Sequence, residues 1–155
     1  MQASAEKVQS ALTTMGFSCE VRELPGSTRT AAEAAETIGC QVAQIVKSLI
    51  FQGKESGDAY YVAVSGENRV HEKRLGRLIG EKIRKADADF TREATGFAIG
   101  GIPPVGHAQE LKAFVDEDLW QYDLLWAAAG TPFAVFSLTA DELKQMCAGT
   151  VVKVT

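Results

Sequence analysis

Residues 44–65 read Gln-Ile-Val-Lys-Ser-Leu-Ile-Phe-Gln-Gly-Lys-Glu-Ser-Gly-Asp-Ala-Tyr-Tyr-Val-Ala-Val-Ser. Two runs rich in β-branched and aromatic residues, 44–52 and 59–65, flank a polar segment that contains glycine, and this pattern predicts a β-hairpin. Side chains alternate along a strand, so Lys47 shares one side of the first strand with apolar neighbours. The hairpin therefore predicts a sheet that carries a lysine in an apolar row.

Outside the hairpin, short helices and strands are predicted in mixed order. Apolar periodicity and end residues predict helices at 4–15, 31–38, 72–79 and 140–147. Further strands are predicted at 18–24, 111–116, 124–129 and 133–138. The last helix begins with a capping-box pair, Thr139 and Glu142. The residue pattern of 83–90 predicts neither a helix nor a strand. Strands mixed with short helices predict one α+β domain that covers residues 1–155.

The composition is that of an ordinary globular protein. The chain has 155 residues, 46% of them apolar and 23% charged, which excludes a disordered chain, a collagen and a coiled coil. Three cysteines without a C-x-x-C pair suit a reducing, cytoplasmic location. The N-terminus lacks the pattern of a signal peptide, and no apolar run predicts a membrane contact. Two histidines without an H-E-x-x-H pattern predict neither a metal nor another cofactor.

Lys47 admits two interpretations. Burying the charge of a lysine in an apolar row costs free energy unless the ammonium is paired, reaches water or faces a cleft. In the functional interpretation, its ammonium holds an anion or a polarised carbonyl of a ligand. In the structural one, the stem packs at the end of a strand and the head is solvated.

The segment 97–107, Phe-Ala-Ile-Gly-Gly-Ile-Pro-Pro-Val-Gly-His, cannot form a regular element because glycines and prolines interrupt it. Adjacent glycines let the backbone approach a ligand and direct N–H groups towards it. Such a loop suits recognition of an oxyanion or of the end of a nucleotide. The alternative is a tight structural connection between strands.

The charge of the chain is unevenly distributed. The net charge is −4 and the isoelectric point is about 5.2, which argues against a globally basic nucleic-acid-binding protein. Residues 69–85, however, contain seven Lys and Arg against two Glu, a net charge of +5. Arg69, Lys73 and Arg77 follow one helix face, which could contact a phosphate backbone or could simply be solvated.

Five segments, in order, resemble one known family. They are Arg29-Thr-Ala-Ala-Glu-Ala-Ala, Ile45-Val-Lys-Ser-Leu-Ile-Phe, Ser65-Gly-Glu-Asn-Arg-Val, Thr95 to His107, and Ala128-Ala-Gly-Thr-Pro. Over residues 5–150 they are similar to the YbaK/ProX aminoacyl-tRNA deacylases, free-standing relatives of the prolyl-tRNA synthetase editing domain. The resemblance implies an α+β fold whose mixed sheet curls into a partly open barrel.

The resemblance also implies an activity and a site. The activity is trans-editing, which is hydrolysis of the ester that joins a wrong, small amino acid to tRNA(Pro). The catalytic positions fall on Lys47, Gly100 and Gly101. Positions implied to bind substrate are Asn68, Arg69, Phe97, Ile102, Pro103, Gly106, His107, Gly130 and Thr131. The positions implied to contact the tRNA backbone are Lys73, Arg74 and Arg77.

The implied partners are the acceptor end of a mischarged tRNA and prolyl-tRNA synthetase. Because an activated ester can be hydrolysed by positioning and polarisation alone, no protein nucleophile is required. Lys47 would then act as an electrostatic anchor, with help from a hydroxyl group of the substrate. Two alternatives stay open: a non-catalytic module that binds tRNA ends or nucleotides, and a hydrolase of small esters.

Overall fold

A computed structural model describes residues 1–155 of the chain. The five helices are α1 (Ala3–Thr14), α2 (Ala31–Ile38), α3 (Glu72–Ile79), α4 (Ala88–Thr95) and α5 (Ala140–Cys147). The eight strands are β1 (Arg22–Glu23), β2 (Ile45–Gly53), β3 (Ala59–Ser65), β4 (Ile83–Lys85), β5 (Lys112–Asp116), β6 (Leu125–Ala128), β7 (Ala134–Leu138) and β8 (Thr150–Val152). Short 3-10 turns cover Val42–Gln44 and Glu117–Gln121.

All eight strands belong to one open, mixed sheet. Its order is β1-β7-β6-β2-β3-β5-β8, and β4 adds to β2. The hairpin of β2 and β3 is antiparallel, with Val46 opposite Ser65 and Gln52 opposite Ala59. Parallel pairs join β2 to β6, β3 to β5 and β5 to β8. The α+β fold that the sequence predicts is confirmed, and so is the mixed sheet that the family resemblance implies.

The sheet opens along one edge of β2. The start of that edge pairs with β6, at Ile45 and Val46, and its end pairs with β4, from Phe51 to Gly53. Residues 47–50 have no registered strand partner between these two ladders, although the Ala86 amide donates to the Ile50 carbonyl at 3.0 Å. The two neighbours of β2 therefore diverge at Lys47.

Alternation along β2 separates three apolar clusters. Val46 and Ile50 point into the main core, which α1, β6, β7 and α5 also fill. Phe51 points the other way, into a cluster with α3 and β4, and Leu49 packs against it. Ile45 packs against α2. Lys47 lies on the side of Ile45 and Leu49, between the second and third clusters.

Two segments differ from the sequence-based expectation for physical reasons. The predicted strand 18–24 shortens to β1 because the Gln9 side chain takes backbone groups that a ladder would use. It accepts from the Val21 amide at 2.8 Å and donates to the Cys19 carbonyl at 3.2 Å. The ambiguous segment 83–90 divides into β4 and the start of α4, where Asp87 caps the Phe90 amide at 2.8 Å.

Candidate active site

Lys47 lies half-buried in the middle of β2, where the sheet opens. Its ammonium donates to the backbone carbonyl of Asn68. That carbonyl belongs to the turn that follows β3, the antiparallel neighbour of β2. The head of Lys47 is thus held against the protein at the bottom of an opening.

A buried carboxylate organises this turn. Asp116, at the end of β5, is 1% exposed. One of its oxygens accepts from the Ser65 amide at 3.0 Å and from the Asn68 side-chain amide at 2.9 Å. The other oxygen accepts from the Asp118 amide at 2.9 Å, and the Asp118 carboxylate also binds the Asn68 side chain, at 2.8 Å. The carbonyl that meets Lys47 is therefore fixed through the side chain of its own residue.

The surroundings disfavour the charged form of Lys47. Burial lowers the pKa of the Lys47 ammonium below its ordinary value, and the positive charges of Lys85 and Arg69 lower it further. The carboxylate of Asp116 acts in the opposite direction. A lysine whose pKa is depressed by burial and by like charges at a cleft is a typical candidate for a functional residue.

Lys47 lines a cleft of about 300 Å³. One apolar wall comes from Ala31, Ala34 and Ile38 of α2, and another from β6 between Trp126 and Ala128. The polar lining includes Thr28, Arg29, Thr30, Ser48 and Lys85. Gly100 and Ile102 close one side. An apolar cleft with a few converging polar groups is the usual form of a small-ligand site.

Three larger grooves lie elsewhere on the molecule. One, of about 570 Å³, is lined by residues of β3, α4 and the start of β5. A second, of about 940 Å³, lies between α3 and the β2–β3 turn, and a third, of about 360 Å³, lies between the end of the 97–107 loop and α5. None of them contains Lys47 or Gly100, so we place the candidate site at the smaller cleft despite its size.

The glycines of the 97–107 loop permit close backbone packing. Gly100 has φ +93°, and a Cβ there would lie 2.8 Å from Arg29 Cγ. A Cβ on Gly101 would lie 3.0 Å from the Gly130 carbonyl carbon. The Gly130 amide donates to the Gly101 carbonyl at 2.8 Å, and the Gly101 amide donates to the Ala98 carbonyl at 3.0 Å. Gly100 alone of the adjacent glycines keeps an amide that donates to no protein acceptor.

The structure brings only some of the sequence-predicted residues to the cleft. Lys47, Gly100 and Ile102 line it. Gly101 does not line the cleft: it packs against the backbone of Gly130 and of the buried Thr131. Asn68 offers its carbonyl to Lys47 and turns its side chain to Asp116 and Asp118.

Other predicted residues lie away from the cleft. Phe97 is buried in the main core. The His107 ring lies 2.6 Å from the Pro103 carbonyl and packs on Tyr61, at 5.1 Å between ring centroids. Burial lowers the pKa of His107, although the contact with Pro103 opposes the shift. His107 and Gly106 line a different groove, beside Cys147.

The basic residues of α3 are exposed on the surface. Lys73 and Arg77 line the groove between α3 and the β2–β3 turn, and Arg74 donates to the backbone carbonyl of Thr155. Arg69 is also exposed, but its charge reaches Lys47. The predicted tRNA-backbone residues are therefore on a surface separate from the cleft.

Sequence reasoning missed three residues at the site. No sequence pattern distinguishes Asp116 from an ordinary turn carboxylate, and Lys85 is predicted only as part of the basic run 69–85. Thr28 is 5% exposed, and its hydroxyl is the one buried side-chain oxygen without a hydrogen-bond partner. Strand register would have identified Lys85, because it lies opposite Phe51 of β2.

No group of three or more His, Cys, Asp or Glu side chains is arranged to hold a metal ion. No helix has the length and apolarity needed to cross a bilayer.

The profile of the aminoacyl-tRNA editing domain matches residues 26–146. The chain belongs to the aminoacyl-tRNA editing domain family. Among its relatives is the uncharacterized protein YwhH of Bacillus subtilis (strain 168), 30% identical over 142 residues, with 92% of this chain and 90% of YwhH covered. The resemblance to editing deacylases is thereby confirmed.

Two further editing-domain relatives have informative names. The "Putative Cys-tRNA(Pro)/Cys-tRNA(Cys) deacylase EbsC" of Enterococcus faecalis (strain ATCC 700802 / V583) is 25% identical, with 75% of this chain and 76% of EbsC covered. A structure described as a "putative trans-editing enzyme for prolyl tRNA synthetase" is 50% identical. It superposes with a TM-score of 0.94 over 100% of this chain and 98% of the other.

Proposed function

We propose that this chain is a trans-editing deacylase that hydrolyses the ester between a small amino acid and mischarged tRNA, with tRNA(Pro) as the preferred carrier. The observation that carries the proposal is that Lys47 lines an apolar cleft together with Gly100, whose amide donates to no protein acceptor. The family and the named relatives support the reaction class.

The two polar groups suit an ester carbonyl. In the reaction, the oxygen of water bonds to the carbonyl carbon, the bond from that carbon to the ribose oxygen breaks, and a proton passes from the water to the ribose oxygen. Negative charge develops on the carbonyl oxygen meanwhile, and a preorganised donor stabilises it. Lys47 and the Gly100 amide are the candidate donors. Lys47 acts here as an anchor rather than as a base.

The size of the cleft supports a small amino acid, because its volume of about 300 Å³ must also accommodate part of the terminal adenosine. A pocket discriminates a single methylene by only about 1–3 kcal/mol, so a small pocket excludes large side chains more strongly than it separates small ones. We therefore expect alanine, serine and cysteine esters to react faster than proline or leucine esters.

Release of amino acid from a panel of aminoacyl-tRNA(Pro) species tests the proposal. The purified chain should deacylate at least one small-residue ester, and Lys47→Ala should lower kcat/KM about 100-fold or more, as loss of an oxyanion donor does. Lys144→Ala is the matched control, because Lys144 is exposed on α5 and this variant should keep full activity. Retention of full activity by the Lys47→Ala protein would refute the anchor role.

Binding without turnover on the whole panel would favour the alternative of a non-catalytic module that recognises tRNA ends. Turnover of small esters that is independent of the tRNA body would favour a general ester hydrolase. Contacts of Lys73, Arg74 and Arg77 with tRNA phosphates, and an association with prolyl-tRNA synthetase, belong to the same proposal. The structure described as a trans-editing enzyme for that synthetase supports the second of these partners.

A further inference from the structure

Arg29, Lys47 and Lys85 line the cleft, and Arg69 lies on the turn that receives the Lys47 ammonium. Lys85 lies opposite Phe51 in the pairing of β4 with β2. Directly opposed residues share one side of a sheet, and alternate residues of a strand do the same, so Lys85 emerges on the side of Lys47. Both lysines line the same cleft.

Arg69 lies next to this cleft, on the turn that follows β3. The carbonyl that receives Lys47 belongs to Asn68, so the next residue of the turn starts beside the ammonium. The charges of Arg69 and Lys85 both act on Lys47. Lys85 and Arg69 are exposed, whereas Lys47 is half-buried, which orders the cations from the mouth inwards.

The positive charge of this group is not balanced within the protein. The one ion pair of the molecule joins the N-terminal amine to Glu23, at 3.8 Å. The nearby carboxylates are those of Asp116, which accepts from the amides of Ser65, Asn68 and Asp118, and of Asp118, which accepts from the Asn68 side chain. Two carboxylates against Lys47, Lys85 and Arg69 leave a surplus of positive charge that attracts an anion.

The remaining lining favours a nucleotide over a free anion. Trp126 is half-buried on the opposite wall of the cleft. The Arg22 guanidinium lies over one face of its ring, 5.9 Å from the centroid, and an aromatic ring that lines a cleft can stack a base on its other face. A phosphate at the mouth and a base against the wall are two parts of one ligand.

We propose that Lys85 and Arg69 form a phosphate subsite at the mouth of the cleft, and that this subsite takes the 5′-phosphate of the terminal adenosine of the substrate. The assignment rests on the proposed function, since the ester on the same ribose then extends inward to Lys47. It adds a ligand group and two residues to that site.

The test compares the binding of adenosine 5′-monophosphate with that of adenosine, by calorimetry and by NMR of ¹³C-labelled lysine. Charge-assisted hydrogen bonds to phosphate should make the nucleotide bind about tenfold more tightly than the nucleoside. Lys85→Gln and Arg69→Gln should each remove most of that advantage, and added salt should weaken it in the unaltered protein. Lys144→Gln, an exposed lysine on α5, is the control and should retain it.

Equal affinity for nucleotide and nucleoside would overturn the subsite, as would absence of nucleotide binding at millimolar concentrations or a Lys85→Gln protein with the full advantage. The outcome is separate from that of the deacylation assay. A protein that binds the nucleotide through Lys85 but releases no amino acid would refute the proposed function alone. An active deacylase that is indifferent to the phosphate would refute the subsite alone.

Discussion

At the residue scale, the candidate site depends on how one ammonium is held. Lys47 donates to the Asn68 carbonyl, and Asp116 fixes that carbonyl through the Asn68 side chain. Asp116 therefore influences Lys47 in two ways, by its charge and by the position of the turn. A carboxylate that is 1% exposed and accepts three hydrogen bonds is also costly to alter.

We predict that Asp116→Asn lowers the pKa of Lys47 further and lowers the free energy of unfolding by about 1–3 kcal/mol, because a negative charge and well-paired acceptors are lost. Titration of ¹³C-labelled lysine by NMR measures the first effect, and urea unfolding measures the second. Glu117→Gln is the control, since it removes the same charge from an exposed neighbouring position. A Lys47 titration identical in the Asp116→Asn and unaltered proteins would show that Asp116 is only structural.

The same scale shows what sequence could predict of the site. Lys47 was predictable because strand alternation sets a lysine against apolar neighbours. The partner of its ammonium was not, since a backbone carbonyl carries no identity in the sequence. The role of Asp116 was not predictable either, because the residue type does not show whether a turn carboxylate is exposed or buried.

At the scale of elements, one partly exposed carboxylate, that of Glu81, ties the β2–β3 turn to the connection between α3 and β4. Glu81 accepts from the Glu55 amide at 3.1 Å, from the Ser56 amide at 3.0 Å and from its hydroxyl at 2.6 Å, and from the Tyr60 hydroxyl at 2.6 Å. Hydrogen bonds from Ser56, and then from Tyr60, lower the pKa of Glu81 to about 2. The carboxylate thus clamps the far end of the hairpin that carries Lys47.

We predict that this clamp weakens in acid. Because the pKa of Glu81 is lower in the folded chain than its ordinary 4.5, its contribution to stability is full above that ordinary value. The contribution is lost as the pH falls towards about 2. Urea unfolding between neutral and acid pH should show a smaller loss for Glu81→Gln than for the unaltered protein. Parallel pH profiles for the two would contradict the clamp, and Glu93→Gln, exposed on α4, provides the control.

The elements themselves were largely predictable where local chemistry dominates. The bounds of α2, α3 and α5 agree with the prediction because a cap at one end and a left-handed residue at the other are local features. The strand at 18–24 failed because a glutamine of α1 took its backbone groups. β8 was not predicted, since its pairing with β5 joins distant parts of the chain.

At the scale of the whole molecule, charge is segregated. The net charge is −4, yet residues 69–85 carry +5, and the basic residues of α3 are exposed together. A local positive face can steer a polyanion while the acidic remainder limits indiscriminate binding. The overall charge therefore says little about the partner of this surface.

We predict that the Lys73→Glu, Arg77→Glu double variant weakens binding of tRNA and reduces the dependence of the affinity on salt. Each lost phosphate contact should reduce the magnitude of the slope of log binding constant against log salt concentration by about 0.9. Filter binding over a range of salt concentrations measures both quantities. The Lys144→Glu, Lys153→Glu double variant makes the same charge change elsewhere and should bind as the unaltered protein does. Equal weakening by both pairs would mean that only net charge matters.

The sequence by itself determined the fold class, most of the elements, the lysine in its apolar row and the resemblance to editing deacylases. These follow from periodicity, capping and short motifs, which are properties of neighbouring residues. Only the tertiary structure decided that Lys85 lines the cleft with Lys47, that the Asn68 carbonyl accepts from its ammonium, and that His107 lies in another groove. Those facts depend on strand register and on a turn beside a distant strand. Register is set by packing across the whole sheet, so no local stretch of sequence contains it.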